Sequence, residues 1–186
     1  INQITQKQKA ASQIDKEIER LIREAIAKSN REKNKPKSFT LTPEALELSK
    51  NFSLNKGKLP WPVIRGVVIQ KFGTQPHPVV KTAKIKSNGI IIATANNEKV
   101  RAVFDGVVLS VLQFKGSNPT ILIQHGKYIT AYKNLSKVYV EKGDKVFSNQ
   151  NIGEVFTNNS TGKSTIQFSI FQNTTPINPL IWIIKM

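Results

Sequence analysis

The chain has 186 residues, of which 39% are hydrophobic, so it is long enough for one packed domain with an appendage and too short for two large domains. The absence of cysteine excludes disulfides and thiolate metal sites, and it fits a reducing cytoplasm and an oxidising periplasm equally well. The formal net charge of +16 indicates an acidic partner or polymer, but the sequence lacks the zinc-finger spacings, RNA-recognition boxes and basic aromatic helices of nucleic acid binders, so we expect no nucleic acid partner.

The N-terminal segment predicts an α-helix. It lacks Gly and Pro, and its apolar residues alternate at spacings of three and four, a heptad interrupted only by a lysine: Ile4, Lys7, Ala11, Ile14, Ile18, Leu21, Ala25. Because three heptads are marginal for a free coiled coil, the helix is either the end of a longer coiled coil or a helix docked on the domain. We favour the coiled coil and assign residues 1–28 to it. Since the chain begins at Ile1 without an initiator methionine, we expect a fragment, with any export signal upstream.

A polar linker and a short helix follow. Residues 29–38 have no apolar side chain and include a proline, which predicts a hinge that cannot bury a core. Thr42 is a favourable N-cap and Pro43 suits the first helical position, so we predict a helix that ends near Asn51. We assign residues 29–58 to this linker and helix, and we regard them as a candidate regulatory segment.

After Leu59 the pattern changes to short β-branched segments separated by Gly, Asn or Pro. These segments predict a mainly β domain of antiparallel strands over residues 59–186: VVIQKF, VVKTAKIK, GIIIAT, KVRAVF, GVVLSVLQF, TILIQ, YITAYK and IQFSIF. The segment GIIIAT is apolar throughout, which predicts a central strand. The domain carries 15 Lys and Arg against 5 Asp and Glu. Its lysines either solvate a β surface or form a dedicated anion-binding face.

A series of glycine-containing turns and short motifs resembles the lysostaphin-type (LytM) zinc peptidase domains from Gly66 to Trp182. In chain order these are Leu59-Pro60-Trp61-Pro62-Val63, Lys71-Phe72-Gly73, Gly89-Ile90, Val100-Arg101-Ala102, Asp105-Gly106-Val107-Val108, Ile123-Gln124-His125-Gly126, Thr130-Ala131-Tyr132, Gly143-Asp144-Lys145-Val146, Ile152-Gly153 and Asn178-Pro179-Leu180-Ile181-Trp182. Each motif is weak alone, but their shared order and spacing are specific. The resemblance implies an antiparallel LytM-type β-sheet domain.

The resemblance also implies where a zinc site would be. Catalytic zinc needs three protein ligands and an open position for water. LytM-type enzymes use a His, an Asp four residues later and the second His of a His-x-His. The matching positions here hold Ser87, Ile91 and Gln167, and the remaining catalytic histidines match Thr165 and Asn134. We therefore expect a degenerate domain with no catalysis, no bound metal and no cofactor.

Two histidines remain elsewhere in the domain. His77 lies in a proline-bounded loop, and His125 precedes Gly126 at a strand end, where an imidazole most simply hydrogen-bonds a turn. Asp105 and Asp144 each adjoin a turn glycine, and turn formation explains them better than general-base chemistry does. We expect no alternative metal site from these residues.

Among degenerate LytM domains, the sequence is most similar to the EnvC-type murein hydrolase activators, in which a coiled coil precedes an inactive LytM domain. The segment from Asn55 to Pro62 is especially similar. The resemblance implies a periplasmic, non-catalytic activator of a zinc N-acetylmuramoyl-L-alanine amidase in cell division. It also implies that the coiled coil contacts a membrane transporter-like division complex, with peptidoglycan nearby. Two alternatives stay open: a peptidoglycan-binding scaffold and an active zinc peptidoglycan endopeptidase.

In such activators the former substrate groove docks the amidase. Without metal ligands the groove floor is neutral, so a helix can cover it without burying an unpaired ion. We predict that the groove comprises Lys86, Ser87, Arg101, Tyr128, Tyr132, Lys133, Asn134 and Gln167, which include the aromatic and cationic types that interfaces favour. A core position for Tyr132 and solvated strand positions for Lys86 and Lys133 are the alternatives. We also hypothesise that the linker and the helix from Thr42 to Asn51 cover the groove at rest.

Overall fold

The computed structural model describes residues 2–30 and 38–185, with side chains from residue 9 onward in the first range. Within these ranges the helices are α1 (Asn2–Ser29), α2 (Pro43–Leu54) and a short 3-10 helix (Pro179–Ile181). The strands are β1 (Val67–Gln70), β2 (Gly73–Pro76), β3 (Lys84–Ser87), β4 (Ile90–Thr94), β5 (Lys99–Arg101), β6 (Gly106–Leu112), β7 (Thr120–His125), β8 (Tyr128–Lys133), β9 (Leu135–Val138), β10 (Lys145–Val146), β11 (Asn151–Val155), β12 (Ser164–Gln172) and β13 (Thr175–Ile177).

All strand pairs between these elements are antiparallel, which confirms the predicted mainly β fold class. The main sheet has the order β1-β4-β12-β8-β7-β6-β10, with β13 paired to β12; β5-β11-β9 form a second sheet, and β2-β3 form a separate hairpin. The segment GIIIAT gives β4, which lies inside the main sheet as predicted. The predicted strand VVKTAKIK is wrong over its first half, because Ala83 N–H donates to the Val80 carbonyl in a turn and the strand starts only at Lys84.

Both helices are present where the sequence predicts them. Thr42 caps α2 by accepting a hydrogen bond from the Ala45 N–H, and Pro43 occupies the first turn, as predicted. The helix ends at Leu54, three residues later than predicted, because Phe52 is buried and extends the packed segment. Most of the predicted linker, residues 31–37, lies outside the described residues. Neither α1 nor α2 is long and apolar enough to cross a membrane.

The main core lies on one face of the main sheet, which we call the back face. Ile90, Phe168 and Tyr132 project from adjacent strands of this face and are fully buried. The second sheet covers them with residues such as Val100, and α2 adds Phe52. The aromatic part of this core stacks Phe52 on the rings of His125 and Tyr128, with centroids 4.9 and 4.7 Å apart.

Helix α1 packs on the opposite face, which we call the front face. Its buried side chains contact buried residues of β7, β8 and β12 to form a second core: Ile18, Ile22 and Ile26 against Leu122, Ile129, Ala131 and Phe171. At the transfer free energy of roughly 25 cal/mol per Å² of apolar surface, three buried isoleucines stabilise this docking by several kcal/mol. The C-terminal half of α1 is therefore docked on the domain, the alternative to the coiled coil that we favoured.

The buried stripe of α1 departs from the predicted heptad. Ile18, Ile22 and Ile26 follow a spacing of four, whereas the heptad places Leu21 and Ala25 in the seam, and those two are only half-buried. The three isoleucines span an arc of about 80° on the helix surface, which fits within the apolar stripe of a helix that packs on a sheet. A coiled coil that continues upstream stays a prediction.

The end of α1 is held by the segment that follows the undescribed linker. The Asn30 side-chain amide donates to the Ser38 carbonyl at 2.7 Å, and the Thr40 N–H donates to the Ser29 hydroxyl at 3.1 Å. The Phe39 N–H also donates to the Asn173 side-chain oxygen in the β12–β13 turn at 3.2 Å. These bonds fix the C-terminal end of α1 beside the sheet.

Candidate partner-binding face

Two of the three positions that the sequence matched to zinc ligands, Ile91 and Gln167, lie on the front face. Gln167 of β12 pairs laterally with Ile91 of β4 on one side and with Lys133 of β8 on the other. Thr165 lies two residues before Gln167 and therefore on the same face. Three of the five degenerate positions thus come together in one patch, and Lys133 borders it.

Asn134 joins this patch through a hydrogen bond. Its side-chain amide donates to the Thr165 carbonyl at 2.7 Å, and its oxygen accepts from the Asn118 amide at 2.7 Å. Asn134 has a φ of +71°, a left-handed conformation that asparagine tolerates better than most residues. The two positions that the sequence matched to catalytic histidines are therefore adjacent, and a hydrogen bond joins them.

Lys133 is a buried charged group of the front face, and α1 neutralises it. Its side chain is 8% exposed, and its Nζ forms an ion pair with the Asp15 carboxylate, which is 34% exposed. Our alternative of a solvated strand charge is therefore wrong for Lys133, since the helix covers it. The same contact places α1 directly beside the patch of degenerate positions.

Three other predicted groove residues lie on different elements. Ser87 ends β3, and its hydroxyl donates to the Gly89 carbonyl at 2.8 Å. Lys86 is exposed on the β2–β3 hairpin, which agrees with the alternative prediction of a solvated strand position for this residue. Arg101 belongs to the second sheet, where its Nε donates to the Trp61 carbonyl at 2.9 Å. Among the described contacts, none joins Lys86 or Arg101 to the front-face patch.

The two predicted groove tyrosines are core residues, so their assignment to the groove is wrong. Tyr132 is fully buried on the back face, where its hydroxyl accepts from the Val103 N–H at 3.0 Å. Burial raises the pKa of Tyr132 to about 12, since an anionic phenolate would lose its hydration. Tyr128 is buried between Phe52 and Trp182. Both alternate with front-face residues along β8, whose six residues are all buried.

The two histidines make local hydrogen bonds. The Nδ1 of buried His125 donates to the Asp105 carbonyl at 2.6 Å, and its Nε2 lies 2.9 Å from the Thr130 hydroxyl. Burial lowers the pKa of His125 to about 4, although the bond to Asp105 opposes this shift. The Nδ1 of His77 accepts hydrogen bonds from the N–H groups of Val79 and Val80. The predicted turn-bonding role of His125 is confirmed.

Comparison with known families assigns this fold. The model of a family described as "Peptidase family M23" matches residues 85–179, about half of the chain. The chain belongs to peptidase family M23. The match covers β3 to the 3-10 helix and includes the whole front-face patch. It confirms the LytM-type fold that the order of the glycine turns predicts.

The relatives of this M23 domain include one protein named as an activator of hydrolases and one named as a hydrolase. The murein hydrolase activator EnvC of Escherichia coli K12 is 27% identical over 172 residues, covering 89% of this chain and 40% of EnvC. The peptidoglycan DD-endopeptidase ShyA of Vibrio cholerae is 32% identical over 108 residues, covering 56% of this chain and 24% of ShyA. The structure of Helicobacter pylori Csd3 superposes with a TM-score of 0.58 at 27% identity, covering 69% of this chain and 35% of that one. The chain spans less than half the length of these curated relatives.

The zinc of M23 peptidases does not fit the residues present in this M23 domain. Ile91 has no donor atom, Gln167 offers a neutral amide, and the Ser87 hydroxyl is already bonded to a carbonyl. The ammonium group of Lys133, next to Gln167 in the sheet, would repel a dication. Over the described part of the chain, no three His, Cys, Asp or Glu side chains come together as a metal site.

The apolar half of the front face and its contact with α1 were not among the predicted features. Leu122, Ile129 and Ala131 lie in strands that are apolar on both faces, so alternation could not separate core from front face. The apolar character of both faces was itself a usable signal, because a strand that is buried on both faces needs an element that covers each face. Asp15 also stands out as an acidic residue beside the apolar stripe of α1.

Proposed function

We propose that this M23 domain is a non-catalytic activator of a peptidoglycan amidase that acts in the periplasm during cell division. The observation that carries the proposal is the position of α1, which packs on the front face beside the patch of positions that the sequence matched to the zinc site. A face that binds an amphipathic helix of its own chain has the shape and apolar character to bind a helix of a partner. The similarity to EnvC supports an amidase as that partner.

The same geometry supports a resting state in which α1 blocks the partner. We hypothesised that α2 covers the groove, but Phe52 anchors α2 to the back-face core, so α1 takes this role in the proposal. A partner helix and α1 compete for the same surface, and the amidase binds only the fraction of molecules in which α1 is undocked. A membrane complex that pulls on the N-terminal part of α1 would raise that fraction.

The charge on the front face constrains the partner. When a partner helix takes the place of α1, Lys133 is covered again without Asp15 beside it and becomes a buried cation without its counter-charge. Such a cation is costly unless another carboxylate replaces the first. We therefore propose that the amidase presents an amphipathic helix with an Asp or Glu next to its apolar stripe.

The test is release of dye from labelled peptidoglycan by candidate amidases of the same organism, each with and without this protein. The variant Ile22→Asp places a charge in the buried stripe of α1 and should undock the helix, so it should stimulate the amidase more strongly than the unchanged protein does. The matched control is Ala27→Asp, which adds the same charge at an exposed position of the same helix and should leave stimulation unchanged.

Three outcomes would contradict the proposal. Dye release by this protein alone, stopped by a chelator, would establish the endopeptidase alternative despite the unsuited residues. Equal stimulation by Ile22→Asp and Ala27→Asp would exclude α1 as the block. Binding to peptidoglycan without stimulation of any amidase by either variant would favour the scaffold.

A further inference from the structure

The positive charge of this protein is concentrated in one acid-free stretch of the chain. Between Leu48 and Asn97 there is no Asp or Glu, whereas the stretch contains eight basic residues: Lys50, Lys56, Lys58, Arg65, Lys71, Lys81, Lys84 and Lys86. The same stretch holds six exposed large apolar residues: Leu54, Ile64, Val67, Ile69, Val79 and Val80. Basic and apolar groups together, without acidic groups, are typical of surfaces that contact anionic lipid.

The β2–β3 hairpin brings these two features together on one element. It is separate from the two larger sheets, and its tip exposes 77% of Val79 and 43% of Val80. Lys84 and Lys86 lie on one exposed face of the ribbon, and Lys81 follows the valines directly. The hairpin is thus an apolar tip with lysines on its outer face.

The backbone of the tip is already hydrogen-bonded within the hairpin. The Nδ1 of His77 accepts from the N–H groups of Val79 and Val80 at 3.1 and 3.0 Å. The Ala83 N–H donates to the Val80 carbonyl, and the His77 N–H donates to the Ala83 carbonyl, both at 2.9 Å. Prolines flank His77 and have no N–H to satisfy. The valines can therefore leave water without exposing unpaired donors to an apolar medium.

We propose that the β2–β3 hairpin inserts Val79 and Val80 into the headgroup region of an anionic lipid bilayer, with Lys81, Lys84 and Lys86 on the lipid phosphates. The tip lies on a different element from the front-face patch, so this contact is independent of the activator function. Each lysine near an anionic surface contributes about a fivefold gain in partitioning, and burial of the two valines adds about tenfold or more. The contact is weak and would act together with another attachment of the protein.

Co-sedimentation of the full chain with vesicles tests this proposal. The protein should bind vesicles of phosphatidylglycerol and phosphatidylethanolamine and should not bind vesicles of phosphatidylcholine. The double variant Val79→Ser/Val80→Ser should reduce binding about tenfold, and Lys84→Gln/Lys86→Gln should reduce it about 25-fold. In a separate readout, brominated lipid should quench the indole of Val79→Trp, and Phe147→Trp should show no added quenching.

The matched control is the loop around Phe147, whose side chain is 64% exposed. This loop carries Lys142 and Lys145 before Phe147, but it also contains Glu141 and Asp144. Phe147→Ser and Lys142→Gln/Lys145→Gln should leave vesicle binding within twofold of the unchanged protein. Equal losses in this loop and in the hairpin would mean diffuse attraction and overturn the proposal, as would no binding to anionic vesicles. Loss of amidase stimulation by Val79→Ser/Val80→Ser, without any vesicle binding, would assign the tip to a protein contact instead.

Discussion

His125 is a buried base that the fold keeps neutral. Its ring stacks on Phe52, and its two nitrogens bond to the Asp105 carbonyl and the Thr130 hydroxyl. The Thr130 and Tyr132 hydroxyls are hydrogen-bonded at 3.1 Å, which extends this network across the back-face core. Protonation of His125 would place a cation in that core, so acid should act on stability through this residue.

The protonation of His125 should make the unfolding free energy of the protein depend on pH. The pKa of His125 is lowered from 6.5 to about 4, so between these values the unfolded chain binds more protons than the folded one. The stabilising contribution is complete above pH 6.5 and is lost as pH falls towards 4, by about 3 kcal/mol in total. Urea unfolding at a series of pH values should show this loss. His125→Gln should be less stable at pH 7.5 but should have a flatter profile over this interval; an unchanged slope would contradict the assignment.

Glu154 should affect the folding stability in a lower pH range than His125 does. Hydrogen bonds from Lys99 and from the Tyr139 hydroxyl, together with the charge of Lys137, lower the pKa of its carboxyl to about 2. Its contribution is present above the unfolded pKa of about 4.5 and is lost as pH falls from there towards 2. Glu154→Gln should therefore reduce the dependence of stability on pH below 4.5 and leave the interval governed by His125 unchanged. A change confined to higher pH would refute this prediction.

At the scale of elements, Gly126 allows α2 to approach the sheet closely. Gly126 has a φ of +68°, and a Cβ there would lie 2.4 Å from the Ala45 carbonyl oxygen and 2.6 Å from the Ser49 Cβ. Gly126→Ala should cost about 2 to 4 kcal/mol of unfolding free energy, from backbone strain and from displacement of α2. Gly143 is the control, since its φ is +94° with nothing within 4 Å. Gly143→Ala should show only the strain, and equal losses would mean that α2 is not displaced.

The Lys133–Asp15 pair should help to hold α1 on the front face. Asp15→Asn leaves Lys133 buried without its counter-charge and should weaken docking by about 1 to 2 kcal/mol, since Asp15 is partly solvated. Amide hydrogen exchange in α1 should accelerate about tenfold as a result. The control is Glu24→Gln, which removes exposed pairs with Arg20 and Lys28 and should change exchange little. The same acceleration in both variants would exclude a role for the buried pair.

The elements could be predicted from local chemistry, but the covering of the front face could not. Thr42 and Pro43 specify the start of α2 through a cap and a fixed φ, and both effects are visible in the sequence. Ile14 and Ile18 fit both a heptad and a spacing of four, so they do not distinguish a coiled coil from a helix docked on a sheet. Ile22 and Ile26 distinguish the two only once the partner surface is known.

At the scale of the whole molecule, the order of turns predicted the fold, and strand patterns did not predict the site. The glycine motifs mark where strands end, so their order along the chain was sufficient to predict the LytM-type β-sheet domain. The sequence could not predict which face of the sheet each β8 side chain occupies. Residues Tyr128 to Lys133 are all buried, so polar and apolar residues do not alternate between an exposed face and a buried one. The degenerate positions could be found only through their place relative to Gly89 and Phe168.

The docked position of α1 has a consequence for how the protein behaves at high concentration. Release of the helix uncovers Leu122, Ile129, Ala131 and Phe171. A contiguous apolar patch of this kind promotes self-association and aggregation. An undocked form would therefore be the least soluble form of the protein, and the docked α1 protects the domain from aggregating.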